Sequence, residues 1–73
     1  MNKYAKDINC CITYRWDNGN IKKVIYLNKD KQYHNSTAPA VTIYNKDGTI
    51  EKEEYYYKGK KLENMLQLLV LTS

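Results

Sequence analysis

A chain of 73 residues makes one domain, and at this size it buries only about 60% of the surface that its unfolded form exposes. With 42% hydrophobic residues and a single proline it is not compositionally disordered, but it has no Phe, so tyrosine and aliphatic side chains must build the core. Twelve Lys+Arg against eight Asp+Glu give +4, which favours acidic or phosphate-bearing encounter partners; every cation except Arg15 is lysine, a poor choice for bidentate base or phosphate recognition. Cys10 and Cys11 are adjacent with no other cysteine to pair with, which excludes a disulfide framework, and His34 alone does not complete a metal site with them. No cofactor or metal is expected. The longest apolar run, Leu68 to Leu71, is too short to cross a bilayer, and no apolar leader-like stretch lies near Met1. The expected location is the cytoplasm, a reducing compartment, away from the membrane.

The first element in chain order runs from Ile8 to Trp16. Ile8, Cys10, Ile12, Tyr14 and Trp16 alternate with more polar residues, the period of a half-buried strand that turns one thiol inward and the other outward. Asp17, Asn18, Gly19 and Asn20 supply turn chemistry, and Ile21 to Asn28 resumes a β-branched and aromatic run. These form a hairpin unit over 8–28. Residues 29–39 are polar, contain Pro39, and read as a loop. A second hairpin unit spans 40–57, with Asn45, Lys46, Asp47 and Gly48 at its turn.

Sliding the chain by 29 positions places Gly19 on Gly48, Ile21 on Ile50, Lys23 on Lys52, Tyr26 on Tyr55, Lys29 on Lys58 and Lys31 on Lys60. This is an internal repeat of one supersecondary unit that cannot bury its apolar face alone. It also places Tyr55, Tyr56 and Tyr57 at the end of a strand. Tyr56 should then face away from Tyr55 and Tyr57, leaving one side of the triplet shielded and the other open.

After Gly59, Leu62, Met65, Leu66 and Leu69 fall at helical spacing, which predicts a C-terminal helix over 61–71. A final strand from Leu68 to Thr72 is the competing reading. The expected fold is α+β and β-dominant: two consecutive antiparallel hairpins in a four-stranded meander, with the C-terminal helix packed as a lid on one face or on a partner. Leu66 belongs to the expected lid face, and Leu68 and Leu71 to a homodimer contact.

The two units, WDNGNIKKVIYLNKDKQYHN and YNKDGTIEKEEYYYKGKKLEN, resemble the short MORN-type repeat: aromatic, turn with glycine, apolar-lysine strand, then a lysine-glycine step. The linking YHNSTAPAV is similar to the LHR-x-x-GPAV signature of related repeat proteins of bacteria, phages and large DNA viruses. The first unit departs from the pattern at Asp30, where a second glycine is usual, and no glycine precedes Pro39. The resemblance implies a non-catalytic scaffold presenting a β surface to another macromolecule, and some bacterial proteins of this type are labelled antitoxins. A short chain rich in lysine and asparagine also resembles phage or prophage accessory proteins, among which inhibitors of host defence are common.

No catalytic residues are expected. A hydroxyl, imidazole and carboxylate can be written from Ser36 or Thr37, His34 and Asp30, but all sit in one polar loop without a rigid support. His34 reads instead as a loop hydrogen-bonding group. The expected partner-binding set is Trp16, Tyr26, Tyr55, Tyr56, Tyr57, Lys58, Lys60 and Lys61, an aromatic patch rimmed by lysine of the kind that anchors protein partners. The alternative is a single-stranded nucleic-acid surface that stacks bases on those rings.

Overall fold

The computed structural model describes residues 8–72. Five strands, β1 (Cys10–Arg15), β2 (Ile21–Leu27), β3 (Val41–Tyr44), β4 (Ile50–Tyr57) and β5 (Lys60–Leu62), precede one helix, α1 (Met65–Thr72). The strands form one antiparallel sheet in the order β1-β2-β3-β4-β5, so each pairs with its neighbour in sequence. The β-dominant α+β meander is therefore present, with five strands rather than four.

The 29-residue repeat is realised in the backbone. At the first turn the Trp16 N–H donates to Asn20 O at 2.8 Å and the Gly19 N–H to Trp16 O at 3.0 Å; at the second, Asn45 donates to Thr49 O at 2.8 Å and Gly48 to Asn45 O at 3.1 Å. Gly19 and Gly48 have φ of 91° and 94°, a region where an L side chain is strained. The ladders carry the same irregularity at the same place: the register shifts between Tyr14 and Arg15 in one unit and between Ile43 and Tyr44 in the other. Asn28 to Gln32 repeats this turn pattern, with Lys31 at φ 61° in the glycine's place and Asn28 Oδ1 accepting from the Asp30 and Gln32 N–H groups, each at 3.0 Å.

The fifth strand replaces the first turn of the expected helix. Lys58 and Gly59 both take positive φ, 50° and 86°, the two-residue turn that matches strand twist, and Lys60–Leu62 folds back on Tyr55–Tyr57. Leu62 is consequently a buried sheet residue. The helix begins after Asn64, whose Oδ1 accepts the Gln67 N–H at 3.1 Å while Gln67 Oε1 accepts the Glu63 N–H at 2.7 Å, a reciprocal cap. The later start rotates the stripe. Leu68, expected at a dimer contact, is fully buried within its own chain, whereas Leu66, expected in the lid face, is 68% exposed.

Ile8, Ile25, Ala40, Val41, Leu62 and Leu68 are the buried apolar residues, joined by Asn28, His34, Asn35 and Thr42. Among the described residues no buried side-chain nitrogen or oxygen lacks a hydrogen-bond partner. As the first strand of the sheet, β1 has little cover on either face: Cys10 and Tyr14 are exposed and Ile12 and Cys11 half-buried, so the expected inward row survives only at Ile8 and partly at Ile12 and Trp16.

Candidate interaction surface

β3 has four residues and β2 and β4 have seven and eight, so the far halves of the longer strands have no β3 between them. The loop fills that gap. Ala40 O accepts the Tyr26 N–H at 2.8 Å, the His34 N–H donates to Tyr26 O at 3.0 Å, and the Asn35 N–H donates to Tyr56 O at 3.1 Å. Tyr33 bridges to Leu27 and its carbonyl accepts the Gly59 N–H at 3.0 Å. Asn35 Oδ1 takes the Thr37 N–H and hydroxyl, holding the stretch up to Pro39.

His34 is 1% exposed, and its Nδ1 accepts the Lys58 N–H at 2.8 Å. The Nδ1 lone pair is thereby committed to holding a turn residue at positive φ. The ring also lies 4.9 Å from that of Tyr57, and Tyr33 meets Tyr56 edge-to-face at 5.1 Å. These contacts change the reading of the tyrosine triplet. Tyr55, Tyr56 and Tyr57 are all half-buried, so neither side is fully shielded or fully open.

The expected partner-binding set is divided between two ends of the sheet. Tyr26, the triplet and exposed Lys58, Lys60 and Lys61 share the end built around His34. Trp16 lies at the opposite end, where its Nε1 donates to Tyr44 O at 3.3 Å and Lys22 and Lys46 stand over its ring at 4.8 and 5.5 Å. There Asn18 and Asn20 both donate to Lys46 O, at 3.1 and 2.7 Å, binding the two hairpin turns together.

The most exposed apolar surface lies elsewhere. On α1, Leu66, Leu69, Val70 and Leu71 are 51–70% exposed, in a helix without a charged side chain. Leu66, Gln67, Val70 and Leu71 form one wall of an open groove whose other wall is Lys60, Lys61 and Leu62 of β5, with Glu63 between them. Sequence periodicity ranked the faces with Leu66 inward and Leu68 outward, the reverse of what the structure has. The signal that would have corrected this is the Asn64 and Gln67 cap, which sets where the helix starts.

Two carboxylates are held below their usual range. Burial works to raise Glu54, but hydrogen bonds and charge from Lys52 at 3.2 Å and Lys61 at 3.3 Å outweigh it. Asp47 is lowered by the Thr49 hydroxyl and N–H that bond its Oδ1 in the second turn. Among the described residues, no three His, Cys, Asp or Glu side chains gather as a metal site, and no helix is long and apolar enough to cross a membrane.

Comparison with known proteins gives no match: no family model fits the chain, and no curated protein or solved structure is significantly similar to it. The class defined by fold and surface is thus a small repeat-built β meander with an apolar helical face.

Proposed function

We propose that the chain is a non-catalytic protein-binding module that engages its partner through the exposed face of α1 and the lysine-walled groove beside it. The supporting observation is the row Leu66, Leu69, Val70 and Leu71, left in solvent on a capped helix whose opposite side is seated by Leu68. Such a face fits a partner with apolar anchors and an acidic rim for Lys60 and Lys61. The MORN-type resemblance supports the binding class. An inhibitor or antitoxin acting on a bacterial protein fits the chain's size, and a neighbouring toxin gene or phage genes would support that version.

The test is affinity capture from bacterial lysate after nuclease treatment. A protein partner held by the wild type should be lost with Val70→Glu and Leu66→Glu and retained with Trp16→Ala. Retention by all three variants would overturn the assignment of the surface. Capture of nucleic acid alone, falling steeply between about 50 and 200 mM salt, would transfer the function to the lysines around the tyrosine triplet.

A further inference from the structure

The repeat leaves one position in the sheet unfilled. In the first unit, β2 has β1 on one side and β3 on the other, with Lys23 opposite Ile43, Val24 opposite Thr42 and Ile25 opposite Val41. The equivalent residues of β4, 29 positions later, are Lys52, Glu53 and Glu54. They pair with β3 on one side, while β5 covers only Tyr55–Tyr57 on the other. Among the described residues no strand covers the remaining half of β4. Instead a notch of about 540 Å³ opens there, walled by Lys52 to Tyr55 and by Lys61, Leu62 and Glu63. The strand equivalent to β3, 29 positions earlier, is β1, whose outer side has no strand partner among the described residues.

We propose that a second copy of this chain inserts its β1 into this notch, pairing antiparallel with the free half of β4 as β3 pairs with β2. The repeat dictates the register: Ile12 opposite Glu54, Thr13 opposite Glu53 and Tyr14 opposite Lys52. Charge supports this occupant. The receiving segment carries Glu51 and Glu53, with Glu54 already paired to Lys52 and Lys61, while β1 carries Arg15 and no acid. Charged edges deter indiscriminate strand pairing, so the contact selects a strand of opposite sign and one register. Each copy offers both a β1 edge and a β4 edge, which makes the association head-to-tail and open to growth beyond a dimer. The notch shares Lys61, Leu62 and Glu63 with the groove beside α1, but the strand pairing uses the β4 and β1 edges and does not rest on the proposed partner.

Sedimentation velocity at rising concentration should show mass increasing in steps of the 8.6 kDa chain. Thr13→Glu, on an exposed position, sets like charges opposite each other and should weaken association several-fold; adding Glu53→Lys should restore it. In a Cys10→Ser, Cys11→Ser background, Tyr14→Cys with Lys52→Cys should oxidise to covalent multimers, whereas Tyr14→Cys with Ile50→Cys should not. A chain monomeric at every concentration would overturn the proposal. So would association indifferent to Thr13→Glu but abolished by Val70→Glu, which would locate self-contact on α1 instead.

Discussion

Truncation of Leu68 to alanine removes the largest fully buried side chain among the described residues, at 0% exposure. Leucine-to-alanine changes at such sites cost about 2–5 kcal/mol, combining lost transfer energy with the cavity left behind. At roughly 0.05–0.15 kcal/mol per residue, a chain of this length holds about 4–11 kcal/mol in total. The loss is therefore a large share of the whole, and Leu68→Ala should move the urea midpoint down sharply or leave the chain partly unfolded at room temperature. Leu66→Ala, two residues earlier on the same helix but 68% exposed, should stay within about 0.5 kcal/mol of the wild type. Urea titration followed by circular dichroism measures both. Equal losses for the two variants would show that the helix does not seat through Leu68, and with it would fall the assignment of Leu66, Val70 and Leu71 to an outer face.

His34→Ala removes the acceptor of the Lys58 N–H and the ring against Tyr57, and should cost about 1–3 kcal/mol with faster amide exchange at Lys58; unchanged exchange there would deny the clamp. Glu54 is depressed in the folded state, so its contribution is fully present above the usual carboxyl value of 4.5 and is lost as pH falls below it. Glu54→Gln should accordingly flatten the acid limb of a stability-versus-pH curve below that value, and an unchanged limb would show that the two lysines do not stabilise the carboxylate.

The two hairpins were legible because Gly19 and Gly48 punctuate alternating strands and the same spacing recurs between them. β5 was not, since Lys60, Lys61 and Leu62 continue smoothly into a leucine-rich run, and only the positive φ at both Lys58 and Gly59 turns them back. That displaced strand in turn shifted the helix and exchanged the roles of Leu66 and Leu68. The polar loop reads as irregular in the sequence, and nothing in it announces an interior. Asn28, His34 and Asn35 are buried because their side chains bond loop and turn groups of Asp30, Gln32, Thr37, Pro39 and Lys58, while the loop backbone itself pairs with Tyr26 and Tyr56 beyond the short β3, and composition does not register either demand. The aromatic patch was grouped by residue type, whereas strand direction sends Trp16 and Tyr57 to opposite ends of the sheet.

In a meander where every strand pairs with the next, assembly can proceed by successive local hairpins, and long-range links decide whether the units melt separately or together. Here β2 meets β3 over only Lys23, Val24 and Ile25. The rest of the connection is carried by Trp16, Asn18 and Asn20 reaching Tyr44 and Lys46 at one end, and by His34 and Asn35 joining Tyr26 to Tyr56 and Lys58 at the other. With side chains linking the units at one end and loop backbone plus the His34 imidazole at the other, the doubled hairpin is expected to unfold as one cooperative body.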